Sequence, residues 1–391
     1  DSPSVYFTPR ERDIQDIAYS MSAISSDQII DEDPDDLTIY GLDNPLGKAV
    51  LAFADGTIRT LTAGARTPTR SAFYTRIDDD PKVYAVRTYT IDKIFIRIDD
   101  LRDREIKLPN NQEISYFKLS GIQTLEITKM DEDDDFIGSK FSSLKLTKPY
   151  TDERSIDTQR FSEMMEVLPA TFTIDTFVED RPTDLAKYGL NPPKYEWLAR
   201  DNESFIHLLV GNETDDGFFY VKFPDEDMVF TLSKSLFNFL DVKPITLVDK
   251  FVLIPNIDMV DKIVITGFEK EYTVELKREK NLSAEEGETE DEITTYFLDG
   301  KEIEEDPFKK FYQLVIGLLI DAENPSPVTG LPAPDVSVYY ELNEGPGPTA
   351  RADFRKLNHD FYEVFLNGRS EFLLSAYQIE AIFDGAAKLL E

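Results

Sequence analysis

Histidine and carboxylate are the first side chains to ask for acid–base or metal chemistry, and their spacing here limits both. His207 sits in the alternating stretch "SFIHLLVG" with Phe205 and Leu209 on its own face, and His359 sits in the turn-like "LNHD". The first reads as a packed or surface strand residue, the second as a loop residue. Carboxylates come in contiguous runs, "DEDPDD" (31–36), "DDD" (78–80) and "DEDDD" (131–135). A calcium loop needs ligands interleaved around a central glycine, so these runs read as solvated acidic faces. Glycoside hydrolysis needs two carboxylates at a set separation, which a sequence alone does not supply. HExxH, GxSxG and P-loop patterns are absent. "GPGPTA" (345–350) satisfies GxGxxA, but its prolines and its place between two strands make it a loop. Asn202, Asn212 and Asn281 begin formal glycosylation sequons. No catalytic, cofactor-binding or metal-binding residue is nominated, and no cofactor is expected.

The composition narrows the partners. The chain of 391 residues carries 76 acidic and 42 basic side chains, a net charge of −34. That field repels nucleic acid and anionic lipid, so neither is expected as a ligand. Cysteine is absent, which removes disulfides and thiolate chemistry together. The single Trp197 argues mildly against an extended carbohydrate platform, although the 18 tyrosines keep a sugar-binding surface open. The longest apolar stretch, "FYQLVIGLLI" (311–320), is half of the roughly 20 residues that span a bilayer. The chain starts at Asp1 without methionine, so the expectation is a processed N-terminus with a leader or anchor removed.

Any chemistry has to be positioned by elements, and these recur. "DLTIYGLDNP" (36–45) and "DLAKYGLNPP" (184–193) share Asp, Leu, Tyr-Gly-Leu and Pro, 148 residues apart. A fainter third copy places Gly330, Leu331 and Pro334 in the same order. Downstream, 219–236 overlays 361–378 without a gap, pairing Phe219 with Phe361, Tyr220 with Tyr362 and Leu232 with Leu374. Tyr74 and Val86 stand at the matching places of the first copy. Each unit opens on an amphipathic helix: Ile14, Ile17, Ala18, Met21 and Ile24 in the first, Phe308, Phe311, Tyr312, Val315 and Leu319 in the third. Asp306-Pro307 reads as the start of the latter. Period-2 runs at 204–211, 217–223 and 228–233 predict a three-stranded antiparallel meander, and Ser233 predicts the cap of a helix over 234–240. "IQTLEIT" (122–128) overlays "VDKIVIT" (260–266), which predicts an additional strand module after each of the first two copies. The acidic stretches 131–135 and 283–292 read as hairpin tips or loops. The expected fold is α+β with three internal repeats, each a helix followed by a mainly antiparallel meander, divided as 1–150, 151–305 and 306–391. Gly41, Gly189 and Gly330 are expected at positive φ in tight turns.

"DLAKYGLNPPKYEW", "FIHLLVGNETDDGFFYVKF", "MVFTLSKSLFNFL" and "DKIVIT" together resemble the bacterial family of domain of unknown function 4340. The resemblance is strongest over 157–267, extends over 36–128 and is partial over 306–391, where Thr329 replaces the tyrosine. It implies an extracytoplasmic protein held by an N-terminal membrane helix that this chain lacks. It also implies ABC transporter membrane subunits of the gliding type, or other envelope proteins, as partners, and it assigns no catalytic residue. The reading is therefore a non-enzymatic accessory or binding subunit at the outer face of a bacterial membrane. The alternatives are a secreted carboxylate-dependent hydrolase of cell-wall or dietary glycan and a receptor for a sugar or small molecule.

Overall fold

Alternating strands and glycine turns dominate the chain, and helices close its meanders. The computed structural model describes residues 7, 9–26, 28–130, 142–280, 292–330, 333–343 and 347–391. The run 131–135, nearly all of 283–292, Leu331 and part of 345–350 thus lie outside the described residues. The protein is α+β, with five α-helices among the described residues and antiparallel pairing between neighbouring meander strands. No described helix is long and apolar enough to cross a membrane. Two compact units emerge: residues 1–105 with 173–180, and residues 106–172 with 181–391.

In the first unit, helix α1 (Glu11–Ser22) precedes a meander of strands Gly47–Ala52, Ile58–Arg66, Ala72–Ile77 and Val83–Arg87, which runs into α2 (Thr88–Ile94). Met21, Leu61, Phe73, Val86, Ile91 and Ile94 form its core, and Ala49, Leu51 and Ile24 pack against it half-covered. Each fully buried large side chain contributes roughly 1.5–3 kcal/mol. Of the expected helix face only Met21 is buried, and Ile14 remains 45% exposed.

The second unit holds two large sheets. One runs in the order Arg154–Ser155, Leu144–Lys148, Thr124–Lys129, Tyr116–Ser120, Tyr195–Arg200, Phe205–Glu213, Phe218–Lys222, Met228–Ser233. The other runs Lys301–Ile303, Glu292–Leu298, Lys270–Lys280, Val260–Gly267, Val336–Leu342, Thr349–Lys356, Phe361–Leu366, Arg369–Ser375, Ala322–Glu323. Helices α3 (Thr158–Glu166), α4 (Glu305–Ile316) and α5 (Ala376–Leu390) belong to this unit. On α4, Phe308, Phe311, Tyr312 and Val315 are buried as their spacing requires, while Leu319 lies beyond the helix and is 39% exposed.

Several expectations need correction. The meanders have four strands, because Tyr195–Arg200 pairs with Phe205–Glu213 ahead of the three strands read from the sequence. The additional strands join the sheet of the meander that follows them, not the one before: Leu119 pairs with Trp197, and Ile265 with Val338. The counterpart of 260–267 is therefore Tyr116–Ser120 rather than 122–128, and Ile122 is a fully exposed turn residue. Asp306 lies inside the first turn of α4, whose N-cap is Glu304. Ser233 makes no side-chain cap bond, and the helix after it is a single 3-10 turn, Lys234–Phe237.

The recurring Tyr-Gly-Leu segment is a tight turn. Leu185 O accepts from Tyr188 N at 3.2 Å and Leu190 N at 3.0 Å; Leu37 O accepts from Tyr40 N at 3.2 Å and Leu42 N at 3.1 Å. Asp184 and Asp36 each take an N–H two residues on, and Gly189 and Gly41 have φ of +68° and +64°. The turn rests on the neighbouring strand at a β-bulge. In both meanders the ladder gains one residue there, between Val210 and Glu213 and between Ala63 and Arg66. The residue at the bulge is glycine in each case, Gly211 and Gly64. A Cβ on either would stand 2.1 Å from Tyr188 O or 2.3 Å from Tyr40 O. Beside each seat two tyrosine rings meet, Tyr188–Tyr220 at 4.9 Å and Tyr40–Tyr74 at 5.1 Å.

The third meander departs from this pattern. Its ladder runs Asp353↔Phe365 to Lys356↔Tyr362 without a bulge. Counting along the registers from Val210↔Val221 and Phe354↔Val364 puts Arg355 where Gly211 stands and Glu363 where Tyr220 stands. The gapless overlay of 219–236 on 361–378 thus slips by one residue over its first strand, where Tyr362 takes the place of Phe219, and holds over its second, where Phe230, Leu232 and Ser233 match Phe372, Leu374 and Ser375. An ion pair, Arg355 Nε to Glu363 Oε2 at 2.6 Å, occupies the space of the tyrosine pair. Gly330 has φ +128°, and a Cβ on it would meet nothing within 4 Å.

Candidate functional site

One cleft of the second unit, of about 780 Å³, is lined by Asp152, Arg154, Asp249, Arg351, Asp353 and Arg369 among others. The strand Arg154–Ser155 contributes one wall, and the edges of Thr349–Lys356 and Arg369–Ser375 contribute the other. Most of these charges answer one another. Arg351 Nε reaches both oxygens of Asp353 at 2.9 and 3.0 Å, and Ser337 Oγ donates to the same carboxylate. Arg369 Nη1 and Asn367 Nδ2 approach Asp152, each at 3.4 Å. Nearby, Glu371 accepts from Thr151 N and Oγ1 at 2.9 and 3.0 Å.

Arg154 differs. Its guanidinium lies 5.0 Å from the centroid of the Phe372 ring and makes no side-chain hydrogen bond among the described residues. Burial lowers its pKa, opposed by the nearby Asp152, Glu371 and Asp249 carboxylates. Phe372 also carries Tyr150 at 4.7 Å, whose hydroxyl donates to Glu323. Burial and that carboxylate push the Tyr150 phenol far above its ordinary range, so it is a fixed donor and no base. The cleft therefore offers five N–H donors on a flat, aromatic-backed cation, suited to holding a carboxylate or phosphate edge.

A smaller pocket of about 360 Å³ lies beside the single tryptophan, walled by Leu108, Ile114, Met165, Leu168 and Ala199. Trp197 is 1% exposed, packs 4.8 Å from Phe239, and its Nε1–H has no acceptor among the described residues. Asp201 closes one side. Burial alone would raise its pKa, but N–H groups of Asn110, Glu203 and Ser204 outweigh that and hold it down to about 2. They stand 2.6, 2.7 and 2.6 Å from its oxygens.

The residues weighed from the sequence are not brought together. His207 Nε2 lies 2.8 Å from Glu196 Oε1, beside the Lys118–Glu196 ion pair. His359 is almost fully exposed, and its Nδ1 lies 3.0 Å from Asp360 Oδ1. The acidic runs are partly wired into the framework rather than wholly solvated. Asp31 accepts from Tyr40 Oη at 2.8 Å, Asp80 from Tyr84 Oη at 2.6 Å, and Asp78 from Thr60 N at 2.7 Å. No group of three metal-ligating side chains forms among the described residues. Arg154, Arg351 and Asp353 were not singled out by sequence reasoning. In "TARADFRK" (349–356) Arg351 and Asp353 stand at the polar positions of the alternation, so the sequence carried no signal that Asp353 is buried.

The fold and clefts define an α+β protein of antiparallel meanders with a charged cleft and a mainly apolar pocket. The chain belongs to the family described as domain of unknown function DUF4340, whose model matches residues 7–193 and again 170–319. The overlap of the two matches contains the turn at 184–193, and residues after 319 lie outside both. Neither the curated proteins nor the solved structures include a match to the chain.

Proposed function

We propose that this chain is a non-enzymatic binding or accessory subunit that works outside the cytoplasmic membrane, beside a gliding-type ABC transporter or another envelope protein. The observation that carries this reading is how the buried carboxylates are used. Asp201 is held by backbone N–H groups, Asp353 by Arg351 and Ser337, and Glu363 by Arg355 and Asn324. A glycosidase acid needs a carboxyl that keeps its proton and a partner facing it across the substrate. Carboxylates engaged in this way fix the framework instead. Family membership supports the extracytoplasmic placement and the transporter partner by resemblance alone.

The three meanders are, on this reading, copies of one unit, and the divisions 1–150, 151–305 and 306–391 count those copies. Mixing the purified chain with the membrane subunits of a gliding-type ABC transporter from the same organism tests the proposal. Co-elution as one species is expected. Failure to associate, together with release of reducing sugar from peptidoglycan, overturns it. The pocket at Trp197 favours a second reading, a small-molecule receptor, in which ligand binding changes the emission of the only tryptophan.

A further inference from the structure

Two of the three meanders have the outer edge of their first strand covered by another strand of the same chain. Tyr195–Arg200 is covered by Tyr116–Ser120, antiparallel, with Leu198 opposite Lys118. Val336–Leu342 is covered by Val260–Gly267, with Tyr339 opposite Val264. The first strand of the first meander, Gly47–Ala52, ends its sheet. Among the described residues its only strand partner there is Ile58–Arg66. Registers equate Ala49 with Trp197 and Val338, and Leu51 with Ala199 and Tyr340. The four counterparts in the covered strands are at most 1% exposed. Ala49 and Leu51 are only half-covered, and the core of the first unit stops at them. Around this edge Leu46 and Val50 are each 61% exposed and Ile58 is 62% exposed. An open edge beside apolar side chains is a template for one more strand.

We infer that Gly47–Ala52 is a docking edge that accepts an extended strand from a partner protein, antiparallel and in the register of the two covered edges. The occupant is a segment with apolar side chains where Phe117 and Leu119 stand, so that they close over Ala49 and Leu51. Its polar face differs from the internal examples. Lys118 reaches Glu196 at 3.1 Å, but Lys48 stands in the place of Glu196, so the incoming strand carries an acidic or neutral side chain there. A second copy of this chain is disfavoured as occupant, because two bodies of charge −34 repel. The register rests on the reading of the meanders as copies; the docking edge itself rests on the half-covered core, and neither depends on the transporter assignment.

The absence of cysteine makes the test clean. A synthetic peptide, ISYFCLSG, reproduces 114–121 with cysteine in the place of Lys118. Under oxidising conditions the Val50→Cys protein is expected to form the mixed disulfide at least about tenfold faster than Tyr89→Cys, at a 70% exposed position of α2, which packs on Ala72–Ile77 and Val83–Arg87 rather than on the edge strand. The same peptide in thiol-free form should slow hydrogen exchange at the amides of 47–52. Equal disulfide rates with no added protection overturn the docking edge. Protection of 47–52 with faster capture at Lys48→Cys or Ala52→Cys supports the edge and overturns the register, and with it the reading of the meanders as copies. Rapid Val50→Cys homodimer formation without peptide overturns the choice of a foreign partner.

Discussion

Gly211 lies under the carbonyl of Tyr188 so closely that a methyl group on it would stand 2.1 Å from that oxygen. The same relation, at 2.3 Å, holds between Gly64 and Tyr40. Neither side of the contact has a flexible side chain to move, since a backbone carbonyl meets a strand at its bulge. Gly211→Ala should therefore destabilise the protein by about 1–3 kcal/mol, the usual cost of overpacking, and Gly64→Ala by a similar amount. Urea unfolding followed by circular dichroism reads both, and an unchanged midpoint for either would show that the turn does not seat on the glycine.

Gly189→Val tests the turn rather than its seat. The position has φ +68°, and a Cβ there would also meet the side chain of Asn212 at 2.5 Å. A loss of about 1–3 kcal/mol is expected from strain at a β-branched residue with positive φ. A thermal melt at the wild-type temperature would contradict it.

Asp201 supplies a pH dependence whose sign is defined. Its pKa is depressed to about 2 in the fold, against roughly 3.9 in the unfolded chain. Its contribution is complete above the unfolded value and is lost as pH falls through that window toward 2. Asp201→Asn should flatten the decline in stability between pH 4 and pH 2, approximately the window set by those values. Unfolding midpoints measured across the window that fall equally steeply in both proteins would remove the assignment.

The net charge of −34 predicts that added monovalent salt raises the melting temperature by screening self-repulsion. Calcium at equal ionic strength should do no more, because the described acidic runs at 31–36 and 78–80 are engaged by tyrosine hydroxyls and backbone N–H groups. A calcium-specific rise at micromolar concentration would reveal a cation site that those contacts do not anticipate.

Emission from Trp197 provides an independent measurement. The indole is 1% exposed and its Nε1–H has no acceptor among the described residues, so its fluorescence should be blue-shifted and poorly quenched by iodide. Red-shifted, quenchable emission from the native protein would place the ring in water and dissolve the pocket.

Short-range patterns were legible in the sequence because their physics is local. The apolar spacing of Phe308, Phe311, Tyr312 and Val315 is enough to define one buried helix face, and the order Tyr-Gly-Leu is enough to require a left-handed glycine at 41 and 189. The family resemblance was carried by the same short segments. What only the tertiary structure decided is non-local. The covering strand for Trp197 is Tyr116–Ser120 and not 122–128, because both runs alternate equally well and only the core they close over distinguishes them. The one-residue slip of 361–366 against 218–222 arises in the hairpin that follows, where Val221 lies nine residues before its partner Phe230 but Val364 only eight before Phe372. A single inserted residue exchanges the faces of a strand, yet leaves composition and periodicity nearly unchanged. The cleft around Arg154 was invisible for the same reason: its walls come from residues about 150 and about 350 in the chain, joined only by the packing of the second unit.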